Sequence, residues 1–384
     1  MIYLDNAATS WPKPESVYQA MEHCMRHAGA NPGRGGHRMA LDAGRILFEC
    51  RDTLADLFHI EDPNQIAFML NATDALNTAL FGFLNPGDHV VTTGMEHNAL
   101  ARPLRCLERM GIKLTVVPAD PYGEVAVGDL EAACTGGTKL IAVSHASNVT
   151  GTVLPIEKIG QISRKKGIAF LLDAAQTAGV EDIDVDLQGI DLLAFTGHKS
   201  LLGPQGTGGL WVRENITLKP LRWGGTGSNS ESDLMPDIMP DKLESGTPNT
   251  VGIAGLNAGL RFILEKGLAN IRLQENELRQ KLWTGLAAIP GVIRYGSDNP
   301  EHKTGVVSFN IKGLDSGKVS YLLDRRFAIA TRAGLHCAPW AHNSIGTLAT
   351  GTVRASIGCF NTAEEIDLLL EAVRNITDTE GSSS

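Results

Sequence analysis

Between residues 65 and 212 one pattern repeats: a short, almost wholly apolar run rich in Val, Ile and Leu, then a longer stretch whose apolar residues recur at helical spacing. Short apolar runs suit strands buried on both faces, and the longer stretches suit the helices that cover such a sheet. The alternation therefore predicts an α/β fold built on a mainly parallel sheet. Strands are expected at 65–70, 89–92, 113–117, 140–144, 169–173, 192–196 and 209–212, and helices at 74–84, 100–110 and 156–166, with Gly, Asn, Asp and Pro marking the breaks. In the first helix Ala75, Leu76, Ala79, Leu80 and Phe83 fall on one side, the side that should pack on the sheet.

A polar stretch at 224–241, GGTGSNSESDLMPDIMPD, interrupts the pattern and reads as a mobile surface loop bordering the site. From residue 252 a long helical pattern leads into a smaller α/β unit, with strands near 305–311, 328–331 and 353–357. A closing helix is expected at 363–376, with Thr362 as N-cap and Glu364 and Glu365 in its first turn. The tail TDTEGSSS should be frayed. The expected organisation is a large domain, 15–251, and a small C-terminal domain, 252–384, completed by the N-terminal segment 1–14.

The 43 acidic residues outnumber the 34 basic ones, for a formal charge of -9. That balance argues against partners such as nucleic acid or an anionic membrane surface, which need a concentrated basic face. No apolar stretch approaches the roughly 20 residues that span a bilayer. The opening MIYLDNAATSWPKPE lacks the pattern of a secretory signal, so a cytoplasmic location is expected. Six cysteines lie far apart with no CxxC pair, which disfavours a disulfide framework and a zinc site, and no metal is expected.

Four segments carry candidate chemistry. In LLAFTGHKSLLGPQGTGG an apolar strand ends at Thr196, Gly197, His198 and Lys199. A lysine there reads either as a loop residue reaching solvent or as an amine whose pKa is lowered by lost hydration, as a nucleophile requires. In FLLDAAQTAG a second strand runs into Asp173, 26 residues before Lys199. An acid at a strand end can simply cap the next helix, but in enzymes using pyridoxal 5′-phosphate (PLP) it pairs with the pyridinium nitrogen. The two strand ends together are far more specific than either alone. In NATDALNTAL, Thr73 is either an ordinary N-cap or, with the backbone N–H groups of the helix start, part of a phosphate cradle. His97, in MEHNAL, is either a surface or packed histidine or a catalytic imidazole that stacks on a cofactor ring and relays protons near neutral pH.

With these segments in place, the chain resembles the cysteine desulfurases of the class V aminotransferase superfamily, the fold-type I PLP enzymes. The resemblance runs nearly end to end, through YLDNAAT at 3–9, MEHNA at 95–99, HASNVTGT at 145–152, DAAQ at 173–176, TGHKSLLGPQGTG at 196–208, ESGTPNT at 244–250 and RAGLHCA at 332–338. It implies a seven-stranded, mainly parallel sheet in the large domain and a homodimer with shared active sites. It also implies that Lys199 holds PLP as a Schiff base and moves the substrate α-proton, that Asp173 pairs with the ring nitrogen and Gln176 with the ring phenolate, and that His97 stacks on the ring. Thr73, Thr196 and His198 match phosphate ligands, with the Ala72 backbone beside them and Thr247 reaching in from the other subunit. Asn148 and Arg354 match the residues that hold the substrate carboxylate, Arg354 as a bidentate fork; Arg332 is counted with them as substrate-binding, and so is His37, which matches a residue bordering the site.

Cys337 matches the sulfur acceptor, and its neighbours Arg332 and His336 are expected to favour its thiolate. The implied reaction converts L-cysteine to L-alanine and leaves a persulfide on Cys337 for a scaffold or carrier protein, in iron-sulfur cluster assembly or another sulfur-transfer pathway. Only 17 positions separate Cys337 from Arg354, a compact connection similar to the second, Suf-type group, which should limit the travel of Cys337 and require an acceptor that docks close to the pocket. Two segments depart from the family pattern. Asn71-Ala72-Thr73 stands where Gly-Thr-Thr is usual, removing one phosphate hydroxyl, and the residues before Cys337 differ from the Suf-type Thr-Gly-His-His. The second departure leaves L-selenocysteine open as a substrate. A selenocysteine lyase, another class V aminotransferase or an epimerase shares every cofactor residue. A non-catalytic interaction protein on the same scaffold is the distant alternative, and the retained Lys199 counts against it.

Overall fold

The computed structural model describes residues 1–33, 35–299 and 302–381. At its centre are the strands Ile66–Met69, Gly208–Val212, Leu192–Thr196, Ala169–Asp173, Thr138–Ser144, His89–Thr93 and Lys113–Val117, hydrogen-bonded in that order. All neighbours pair in parallel except Gly208–Val212, which is antiparallel to both strands it touches. The expected strands therefore form, with ends shifted by a residue or two. Their side chains alternate between two cores: Phe170, Leu172, Ile141 and Val143 face one helical layer, and Leu171, Leu140 and Ala142 face the other. A strand with both faces covered must be apolar at every position, which is why the runs read as continuous. Each fully buried Leu, Ile or Phe contributes roughly 1.5–3 kcal/mol to holding the layers together.

A second, antiparallel sheet holds Arg332–Gly334, Thr352–Ser356, Val306–Ile311 and Val292–Tyr295 in that order. Its core sets Phe309, Val353 and Ala355 against Leu282 and Leu286 of the helix Leu268–Ala287 and Leu369 and Val373 of the closing helix. The N-terminal strand Ile2–Tyr3 pairs in parallel with Ile329–Ala330, and Asp5 bridges to Ser356. The chain's beginning is thus threaded across this second unit to reach the first. The helix Thr250–Lys266 packs against Glu15–His27 and Arg38–Phe58 and buries Ile253, Leu256 and Leu260 in the core beside the large sheet.

Several expectations are corrected. The closing helix runs Ala363–Glu380, so Thr377–Glu380 are helical and not frayed; Glu380 holds Lys318 and Arg326 at 2.7 Å each, while Ser382–Ser384 lie outside the described residues. Its start does carry Thr362 in a full capping box with Glu365. The segment 224–241 is irregular and largely exposed, but none of its residues lines the cavity of its own chain that holds Lys199 and Asp173. Among the described residues, no helix is long and apolar enough to cross a membrane.

Candidate active site

The parallel strands of the large sheet end together, with Ser144 in register with Asp173 and Asp173 with Ala194. Ligands of open α/β sheets bind beyond such carboxyl ends, and a cavity of about 330 Å³ lies there. Apart from His37 and Thr247, every site residue named from the sequence lines it.

The turn before the helix Ala72–Phe83 shows why this end of the cavity suits an anion. Asn71, in extended backbone, is the N-cap: its Oδ1 accepts from the Asp74 amide at 3.0 Å. Thr73 is therefore not the cap, and it is exposed in the first turn. Gly208 permits the approach of its strand, since a Cβ there would come within 2.8 Å of Asn71 Cα and 2.7 Å of the Phe195 carbonyl oxygen. On the neighbouring strand end, Thr196 Oγ1 and His198 Nδ1 are buried without a hydrogen-bond partner. Burial and the positive charges of Lys199 and Lys13 lower the His198 pKa to about 4, so its ring is neutral. Unsatisfied buried polar atoms are costly. Here they stand beside a helix N-terminus, whose free N–H groups and dipole favour negative charge.

Asp173 is 5% exposed; its Oδ1 accepts from the Ala175 amide at 3.0 Å and its Oδ2 from the Ser144 hydroxyl at 3.3 Å. Burial raises its pKa, and these hydrogen bonds with the charge of Lys199 pull it back. Lys199 is lowered to about 8, chiefly by burial, with Arg354 adding to the effect and Asp173 opposing it. The strand end that carries it is pinned by the N-terminal segment, since Ser10 Oγ donates to the Lys199 carbonyl at 2.6 Å and the Ser10 amide to the His198 carbonyl at 2.9 Å. Gln176 Nε2 donates to the Ala7 carbonyl at 3.1 Å. His97 caps the helix Asn98–Arg109, its Nδ1 accepting from the Ala99 amide at 3.0 Å, which leaves the proton of the neutral ring on Nε2. Burial, then Lys199 and Arg354, lower its pKa to about 4.

The opposite wall comes from the second sheet. Arg354 is 2% exposed, with Nη1 donating to the Asn148 carbonyl at 3.1 Å and Nη2 to Asp5 Oδ1 at 3.0 Å, while its Nε has no partner. Asn148 Nδ2 donates to the His336 carbonyl at 2.7 Å. Cys337 is exposed, adopts a positive φ of 57°, and accepts the Asn98 amide on its carbonyl at 2.7 Å. The expected help from His336 is corrected. Its buried ring meets the Thr352 hydroxyl and carbonyl at 3.1 Å and is lowered to about 2, by burial first and then Arg354, so it brings no positive charge to the thiol.

Thr247 lies exposed in a separate groove with Arg222 and Glu244, in contact with Asn31, and His37 caps the helix Arg38–Phe58. Three functional neighbours escaped sequence reasoning. Asp5 holds both Arg332 and Arg354; Ser144 holds Asp173; Glu96, fully buried, accepts from Thr93 Oγ1 at 2.5 Å and the Ser144 amide at 2.8 Å. Asp5 and Glu96 stand inside YLDNAAT and MEHNA, and only that membership could have marked them.

Fold and cavity together define an α/β enzyme scaffold with a partly dehydrated lysine at the end of a buried strand, facing an anion cradle. The chain belongs to the aminotransferase class-V family, whose model matches residues 2–369. It is 36% identical over 98% of its length to a probable cysteine desulfurase of Methanothermobacter thermautotrophicus, covering 94% of that protein. It is 33% identical to a cysteine desulfurase of Yersinia pseudotuberculosis over 98% of this chain and 93% of that one. The solved apo structure of a cysteine desulfurase from Thermococcus onnurineus superposes with a TM-score of 0.92 at 35% identity, over 98% of this chain and 94% of that one.

Proposed function

We propose that the chain is a PLP-dependent cysteine desulfurase that converts L-cysteine to L-alanine and receives the sulfur on Cys337. The observation that carries this reading is one cavity bringing together Lys199, buried Asp173, unpaired Thr196 Oγ1 and His198 Nδ1, and an exposed thiol. Those residues fit PLP: the Ala72–Thr73 amides, Thr73, Thr196 and His198 would hold its phosphate, Asp173 its ring nitrogen, Gln176 its phenolate oxygen and Lys199 its aldehyde carbon. When bound, PLP supplies an electron-accepting ring that lowers the cost of breaking bonds at the amino acid's α- and β-carbons.

The protein's own residues do the rest. Lys199, lowered to about 8, is poised to take and return a proton at Cα near neutral pH. Arg354, held by Asn148 and Asp5, keeps its Nε–H for the substrate carboxylate. His97, neutral and fixed by its own helix, offers a ring face and an Nε2 proton. The Cys337 thiolate takes the substrate sulfur, an S–S bond forming as the substrate C–S bond breaks. Mass spectrometry after mixing the loaded protein with L-cysteine tests this: one added sulfur atom maps to Cys337, and Cys337→Ser loses sulfide release. Full sulfide production by Cys337→Ser would overturn the assignment.

Two structural features support the finer parts of the reading. Trp223, Leu234 and Ile238 are 70, 72 and 63% exposed in the irregular segment before Thr247, which supports a second copy covering them and delivering Thr247 to its neighbour's phosphate. A groove of about 260 Å³ lined by Arg102, Arg105, Arg109, Cys106 and Trp340 opens three residues past Cys337, and supports docking of a sulfur acceptor there. The division into a large unit, 15–251, and a small one, 252–384 with 1–14, is proposed with the helix Thr250–Lys266 as the bridge, because it packs on the large unit.

A further inference from the structure

Arg332 and Arg354 face each other directly across neighbouring antiparallel strands. Like charges so placed repel, and their Cβ atoms lie roughly 4.5–5.5 Å apart. Asp5 resolves the conflict from a distant part of the chain. Its carboxylate receives Arg332 Nε at 3.1 and 3.0 Å and Arg332 Nη2 at 2.8 Å, and it also receives Arg354 Nη2 at 3.0 Å. The backbone fixes it there, because the Leu4 amide donates to the Ala330 carbonyl at 2.9 Å and the Ser356 amide to the Leu4 carbonyl at 2.7 Å. The two arginines differ in what Asp5 leaves them. Arg332 is half-exposed with its fork occupied, whereas buried Arg354 retains an unpaired Nε. The nearby imidazoles of His97 and His336 are neutral and add no charge.

We propose that Asp5 is a specificity-determining residue: by cancelling Arg332 and steering Arg354, it matches the cavity to an amino acid with one carboxylate and excludes one with two. Within this trio, two guanidinium groups against one carboxylate leave a single positive charge, placed for the α-carboxylate, and Arg332 offers none to an acidic side chain. Freed from Asp5, Arg332 would stand one strand spacing from the first carboxylate, within reach of a second. The proposal rests on the reading of Arg354 as the carboxylate's partner.

The test is equilibrium binding by calorimetry of L-alanine and L-aspartate to the PLP-loaded full-length chain. The native protein should prefer L-alanine, and Asp5→Asn should shift the ratio of the two dissociation constants toward L-aspartate by about tenfold or more, the worth of one charge-assisted contact. Adding Arg332→Ala to Asp5→Asn should restore the native preference. A purely structural role would weaken both ligands together, and an unchanged ratio overturns the proposal. Should Asp5→Asn fail to fold, Arg332→Ala alone serves, because Asp5 then competes for Arg354: L-alanine binding should fall by about tenfold and recover in Arg332→Lys, and no fall overturns the proposal. These ratios are read without turnover, so they are separate from sulfide release, whose absence in the native protein would sink the desulfurase reading instead.

Discussion

Lys199 and Asp173 are neighbours because two adjacent parallel strands end at the same level, and each strand was visible as an unbroken apolar run. The lysine's lowered pKa gives a direct expectation. Its free amine, the form that attacks an aldehyde, becomes the majority only above about 8, so the rate at which the cofactor-free chain takes up PLP should rise as pH passes through about 8 and then level; stopped-flow absorbance measures it. Glu96 gives the opposite sign for stability. Burial raises its pKa to about 7 against an ordinary value of 4.5, so the folded state binds the extra proton, and stability present below pH 4.5 is lost as pH rises through 7. Glu96→Gln should flatten that loss, by roughly 2–3 kcal/mol, in urea unfolding followed from pH 4.5 to 7.5. What the sequence could not show at this scale is pairing across distance. Asp5 reads as one acid in a loop until the fold sets it against residues 327 and 349 positions away.

The helices and strands near the site were legible where periodicity and punctuation coincide, as at Ile156–Lys166 with its terminal Gly167. They were less so at the cap of the helix Ala72–Phe83. Thr73 in NATDA reads as the cap from the sequence, but the backbone geometry selects Asn71 and leaves the Thr73 hydroxyl available. Asn71→Ala should cost about 1 kcal/mol of stability and weaken PLP binding as the helix start loosens. Gly208→Ala should cost more, about 1–3 kcal/mol in chemical unfolding, because its Cβ would strike the backbone of two elements at once. Val292–Tyr295 passed unnoticed because its half-exposed residues give neither an apolar run nor a clear alternation.

At the scale of the whole molecule, the proposed sharing of sites between copies makes a sharp prediction. Lys199→Ala and Thr247→Ala chains, each impaired when assembled with itself, should regain one native site when mixed, since the Thr247→Ala copy supplies Lys199 and the other supplies Thr247. Native mass spectrometry of bound PLP reads the outcome: about one cofactor per mixed pair, and none regained if Thr247 stays within its own chain. The threading of Ile2–Tyr3 beside Ile329–Ala330 has a consequence for biosynthesis. On a translating ribosome the stretch that bears Asp5 emerges 327 residues before Arg332 and 349 before Arg354, and it must wait, unpaired, for them to follow. A nascent chain arrested before Arg332 would already hold Lys199 and Asp173 yet lack the guanidinium wall, so the proposed cofactor site is complete in the emerging polypeptide before the proposed site of amino-acid recognition.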